Sequence, residues 1–335
     1  MNINEKKYRK FSLVKEMLET PAIIKNFSSG NLEALIRCIR KTKNLLITGE
    51  GSSRIFPAKN MACNAMKNDY GIFIHTEGAR QAAELDLRDF TLFAASNSGM
   101  TREVLDLFRN KKAGAKFAIT QNPESELKKY SDEMYLLKSG KEEIVPATKS
   151  VIEEALFYQN LIYRLAGKAI SKNTLDELSK KANKALTMKI DDKTISRLSK
   201  AKIIYFAGRN NGVAEEAALK TNEITRKKSC YLEGTYAVHG IEESMDINES
   251  AILIDPYKEE EKKFREVLVK GVGMHVIAIS SRRTIFPTIR IPKMDGFDSY
   301  LQLFACWNLL VEIGIKNKID MDKPRRARKI GNRIG

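Results

Sequence analysis

Cysteine and histidine are scarce, four and three among 335 residues. Cys38, Cys63, Cys230 and Cys306 are scattered, with no Cys-x-x-Cys pair, which excludes a disulfide framework and points to a reducing, cytoplasmic setting. The absence of clustered Cys/His spacing leaves no metal expected. Glycine (19) and proline (8) are too few for a collagen-like or low-complexity chain. No run approaches ~18 consecutive apolar residues, so no membrane partner is expected. The opening MNINEKKYRKF lacks the apolar core of a secretion signal. Neither G-x-x-x-x-G-K-[ST] nor G-x-G-x-x-G occurs, which disfavours nucleotides and dinucleotides and leaves no cofactor expected.

What is abundant is positive charge: 58 Lys plus Arg against 42 Asp plus Glu, a formal net charge of +16. The lysines are spread along the chain and densest at the end, around Pro324-Arg325-Arg326-Ala327-Arg328-Lys329. A solvated basic surface accounts for most of this, and nucleic-acid-binding signatures are absent, so nucleic acid is not an expected partner. With 43% apolar residues, the length suffices for about two domains, each with its own core.

Residues 12–27 read as two amphipathic helices broken at Thr20-Pro21, followed by a helix over about 31–42. Asn44–Thr48 is an apolar run entering Gly49-Glu50-Gly51-Ser52-Ser53, after which a helical pattern resumes through 58–67. Further strand patterns fall at 71–75, 90–95, 116–120 and 133–137. The second half repeats the theme: a strand at 202–207, a helix from about 213 to 228, and strands at 229–232, 251–254 and 275–279. Leu45 overlays Ile203, Glu77 overlays Glu233 and Gly114 overlays Gly273, offsets of 156–159 residues. Alternating strands and helices with a near-constant offset predict an α/β protein of two duplicated, doubly wound (flavodoxin-like) parallel sheets, joined by helices over about 151–189.

In such sheets ligands bind beyond the carboxyl ends of the strands. Ser52 and Ser53 close one strand, and Ser96-Asn97-Ser98-Gly99-Met100-Thr101 closes another and opens a helix. These turns are either ordinary helix caps or a phosphate cradle of hydroxyls and backbone N–H groups. Glu216, Lys220 and Glu223 share one helix face, as a surface salt-bridge ladder or as a general base with a neighbouring cation. His239 lies sixteen residues beyond Glu223, and His75 and His275 fall within strands and suit structural roles.

Together these residues resemble the sugar isomerase (SIS) family, and within it the isomerase domain of glucosamine-6-phosphate synthase, along nearly the whole chain. The family's CGTS turn is matched by Glu50-Gly51-Ser52-Ser53, and its S-x-S-G-x-T turn by Ser96–Thr101. Its ALKLKE-I helix is matched by Ala218–Ile224, its histidine by His239, and its D-x-P-R-x-x-x-K tail by Asp322–Lys329. The resemblance implies that Ser52, Ser53, Ser96, Asn97, Ser98 and Thr101 hold a sugar phosphate, with Val145 and Ala147 beside the sugar. It implies Glu223 as the proton-transfer carboxylate, His239 as the ring-opening residue, and Lys220 and Lys329 as cations at the reacting atoms. The expected division is 1–42 N-terminal helices, 43–190 first SIS subdomain with linking helices, 191–315 second SIS subdomain, and 316–335 a tail over the active site.

Departures lie around the sugar. Ile241 follows His239-Gly240 where relatives have proline, Gly234-Thr235-Tyr236 replaces a GEL or GEF element, and Ala147 removes a hydroxyl from an ASTK segment. A glutaminase half with an N-terminal cysteine is not present in this sequence. The implied activity is therefore isomerisation, deamination or deglycation of an amino-sugar phosphate in a homodimer. The alternative is a sugar-phosphate sensor without turnover.

Overall fold

The computed structural model describes residues 1–328. Among the described residues ten strands form two five-stranded, all-parallel sheets. The first holds β1 (Asn44–Thr48), β2 (Phe73–Glu77), β3 (Leu87–Ala95), β4 (Ala113–Thr120) and β5 (Glu133–Leu136), in the order β2-β1-β3-β4-β5. The second holds β6 (Ile203–Gly208), β7 (Lys228–Glu233), β8 (Ser250–Ile254), β9 (His275–Ser280) and β10 (Thr288–Arg290), in the order β10-β9-β8-β6-β7. Read from the opposite edge, the second order repeats the first strand for strand. That is the 2-1-3-4-5 order of flavodoxin-like sheets, and the predicted duplication holds at the level of topology. β10 carries no signal in the sequence reading; three residues are too short for a period to show.

Both faces of the first sheet are buried. Leu45, Ile47, Phe93, Ala95, Phe117 and Ile119 pack on one side, and Leu46, Leu92, Ala94 and Ala118 on the other. This two-sided burial makes parallel strands read as continuous apolar runs. In the second sheet Tyr205, Ala207, Ala251, Leu253, Val276 and Ala278 form one such core face.

The chain divides into two compact units. One comprises residues 1–21, 144–146 and 178–325, and the other 22–143, 147–177 and 326–328 of the described residues. The unit containing the second sheet thus includes the N-terminal residues 1–21. No described helix is long and apolar enough to cross a membrane.

The expected break at Thr20-Pro21 does not occur: one helix runs Ser12–Lys25 with Pro21 inside it. Proline removes the N–H that would bond the Met17 carbonyl. The Thr20 hydroxyl donates to that carbonyl instead, at 2.6 Å, so the helix continues with the lost bond replaced.

Candidate active site

The two serine turns stand at the carboxyl ends of neighbouring strands, since β1 pairs with β3. Gly51–Ser53 is a single 3-10 turn leading into the Ile55–Asn68 helix, with Ser52 buried and Ser53 half-buried. Residues 96–101 join β3 to the Arg102–Asn110 helix. If these hydroxyls were ordinary caps they would bond the first N–H groups of their helices. Thr101, the cap residue of the second helix, makes no side-chain cap bond. Thr101 Oγ1 lies 2.8 Å from Ser96 Oγ, and Ser98 Oγ accepts from the Met100 N–H at 3.1 Å.

The second turn is held rigidly. Gly99 has φ +62°, and a Cβ there would lie 2.4 Å from Ser125 Oγ and 2.8 Å from Thr120 Oγ1, so only glycine fits. Ser125 Oγ donates to the Gly99 carbonyl (2.6 Å), and Asn122 Nδ2 donates to the Ser98 carbonyl (3.2 Å). The result is a preorganised cluster of hydroxyls at a helix N-terminus, where free backbone N–H groups and the helix dipole favour an anion.

The equivalent position in the second sheet carries an ion pair in place of hydroxyls. After β8 comes Asp255, which accepts from Ser280 Oγ at 2.8 Å and pairs with Arg209 at 3.1 Å. Arg209 in turn lies over the Tyr257 ring. The strand ends of the duplicated halves have diverged, and the serine turns belong to the first half alone.

Gly212, at φ +83°, begins the Val213–Thr225 helix after β6, and the Asn211 carboxamide oxygen accepts from the Val213 N–H. Ala214, Ala217 and Ala218 are buried, and the small side chains let this helix pack closely against the Asp298–Lys316 helix. On the buried face Lys220 Nζ lies 3.0 Å from Glu216 Oε1 and 2.9 Å from Glu223 Oε2. The Lys220 and Glu216 side chains are fully buried, whereas Glu223 is 22% exposed. The surface-ladder alternative is therefore wrong: the alanine-rich packing takes the charges inside. Burial alone would lower the Lys220 ammonium, but Glu216 and Glu223 outweigh it and hold Lys220 above the usual lysine range. Buried ion pairs are costly to desolvate and are a weak way to gain stability. A carboxylate with partial access to solvent, fixed beside a permanent cation, is equipped for proton transfer.

No protein-family model matches the chain, and no curated protein sequence matches it. Solved structures do. The C-terminal domain of glucosamine-fructose-6-phosphate aminotransferase from Francisella tularensis superposes with a TM-score of 0.78 at 21% identity, covering 97% of this chain and 100% of that one. Tagatose-6-phosphate ketose/aldose isomerase from Escherichia coli gives 0.76 at 17% identity, over 93% of this chain and 94% of that one. Glucosamine-6-phosphate deaminase from Thermotoga maritima gives 0.70 at 22%, over 95% and 98%. The chain has the SIS fold of the phosphosugar isomerases. At these identities the likeness establishes the fold and nothing finer.

Within the SIS fold the remaining expected residues fall as follows. His239 is exposed, in the turns after β7, and its Nε2 lies 3.3 Å from Lys263 Nζ. Among the described residues His239 makes no hydrogen bond to Lys220 or Glu223. Val145 and Ala147 are half-buried in the loop before the Lys149–Leu165 helix. Lys329 lies outside the described residues.

The start of the tail is anchored. Asp322 accepts from the backbone N–H groups of Ser12 (2.7 Å) and Leu13 (3.0 Å), capping the Ser12–Lys25 helix. Arg226, at the C-terminal end of the Glu223 helix, donates to the carbonyls of Asp320 (2.8 Å) and Lys323 (2.7 Å). The tail therefore departs from beside the end of the helix bearing Glu223. Sequence reasoning missed Arg226 and the capping role of Asp322, because neither a long-range cap nor a carbonyl clamp leaves a local pattern. Among the described residues no cluster of three His, Cys, Asp or Glu is placed to hold a metal.

Proposed function

We propose that this protein is an enzyme acting on a phosphorylated amino sugar, moving a proton between C1 and C2 and releasing the amine, or running the simple aldose–ketose isomerisation. The observation that carries the reading is the buried Glu216–Lys220–Glu223 cluster, whose only partly exposed member is the carboxylate Glu223. In this reading the hydroxyls of Ser52, Ser53, Ser96, Ser98 and Thr101 receive the phosphate. His239 moves a proton at the ring oxygen to open the sugar. Glu223 takes the proton from C2 of the aldose, leaving an enolamine whose developing negative charge is stabilised by Lys220 and by Lys329 of the tail. Return of the proton to C1 gives the 2-imine, and water then replaces nitrogen, yielding ketose phosphate and ammonia with no net redox change. The exposed His239 suits a residue that serves a second copy of the chain, so the working form is a homodimer.

The test is amine release with sugar-phosphate detection: ketose phosphate from glucosamine-6-phosphate and galactosamine-6-phosphate, and aldose phosphate from a fructosamine-6-phosphate adduct. Turnover of one of these should fall by about 10²–10⁴-fold in Glu223→Gln. Tight binding of a sugar phosphate without turnover of any would instead establish a sensor.

A further inference from the structure

Glu142, in the loop after β5, is buried and is a convergence point for hydrogen-bond donors. Its Oε1 accepts from the N–H of Thr148 (2.6 Å), the Thr148 hydroxyl (3.1 Å) and the N–H of Lys149 (2.7 Å). Its Oε2 accepts from the Ser150 hydroxyl (2.6 Å) and from Asn97 Nδ2 (3.2 Å). One carboxylate thus caps the Lys149–Leu165 helix, whose own cap residue Thr148 makes no side-chain cap bond, and reaches into the serine turn.

The contact with Asn97 has a chemical consequence. A carboxylate offers only acceptors here, so the carboxamide of Asn97 must turn its NH₂ toward Glu142 whatever else surrounds it. Its Oδ1 then points the other way. Among the described residues this oxygen is buried and finds no donor. Phosphate oxygens are acceptors, and an acceptor cannot bind them. The hydroxyls of Ser96, Ser98 and Thr101 and the turn's backbone N–H groups remain the donors for an anion.

We propose that Glu142 is a positioning residue that locks Asn97 so that its oxygen, and not its NH₂, is the polar atom left unsatisfied; Asn97 then reads a donor on the substrate, a sugar hydroxyl or amine adjoining the phosphate, and takes no part in holding the phosphate itself. This rests on the phosphosugar reading of the serine turn. It reassigns Asn97 from phosphate binding, which the family resemblance implies, to discrimination of the sugar.

The experiment compares the full-length wild type with Asn97→Ala and Glu142→Gln in calorimetric titrations against inorganic phosphate and glucosamine-6-phosphate. Glutamine at 142 still offers an oxygen to Thr148 and Lys149 but turns an NH₂ toward Asn97, which reverses the Asn97 carboxamide. Both variants should weaken glucosamine-6-phosphate binding by tenfold or more and change phosphate affinity by less than threefold. A merely structural role for Glu142 would weaken both ligands together and lower the melting temperature; that outcome overturns the proposal. Equal loss of both ligands in Asn97→Ala, with folding intact, would return Asn97 to the phosphate and overturn it too. Unchanged affinities for both ligands would remove Asn97 from the site. Failure of the wild type to bind either ligand would refute the phosphosugar reading itself, a result distinct from the others.

Discussion

At the residue scale, the decisive fact is the burial of Lys220 between two carboxylates. Removing the cation strands Glu216 in a fully buried position without its counter-charge. Lys220→Met should therefore cost about 3–5 kcal/mol in urea unfolding; a loss below about 1 kcal/mol would mean that the cluster opens to water. Lys220 is held above its ordinary range, so its contribution to stability is complete below the unfolded value and fades only in strong alkali. It leaves no mark between pH 6 and 9. The acid side belongs in part to His275, held below its ordinary 6.5 by burial and then by Arg197. The unfolded chain takes up a proton near that value while the folded imidazole resists, so this residue costs stability as pH falls below 6.5 and has no effect above it. His275→Gln should flatten that part of the stability–pH curve, measured by denaturant unfolding across the acid limb.

At the scale of elements, sequence patterns located the strands and turns well and the connections poorly. Gly/Ser turns after apolar runs were legible because hydroxyls, glycine and a following helix all sit within six residues, as in 96–101. The Ser12–Lys25 helix was not, because the Thr20 hydroxyl that rescues Met17 looks in sequence like a cap for a new helix. Glu142 was also invisible: its donors belong to Asn97 and to residues 148–150, which only the fold gathers. The same holds for Asp322, which caps a helix 310 positions earlier. That helix has no acidic residue in its own first turn. Asp322→Ala should cost about 0.5–2 kcal/mol in denaturant unfolding, while Asp322→Asn, which keeps an acceptor, should cost less. An unchanged unfolding midpoint in Asp322→Ala would mean that Arg226 alone anchors the start of the tail.

At the scale of the whole molecule, one strand order used twice has been given two kinds of strand end. Hydroxyl turns close β1 and β3 in the first half, and an Arg209–Asp255 pair closes β8 in the second, where the adjoining helix carries the carboxylates instead. If His239 serves a second copy, two inactive variants should complement. Glu223→Gln and His239→Asn, unfolded and refolded together, should recover about a quarter of wild-type turnover, the statistical limit for random re-pairing in a two-fold dimer. No recovery would confine both residues to one chain. The central claim, that Glu223 moves a proton on a phosphorylated sugar, is tested most directly by incubation with glucosamine-6-phosphate or fructose-6-phosphate in D₂O, followed by NMR. Deuterium should enter C1 or C2 in the wild type and not in Glu223→Gln, with sugar-phosphate binding retained in both. Equal incorporation in the two proteins, or binding without incorporation in the wild type, would contradict the account.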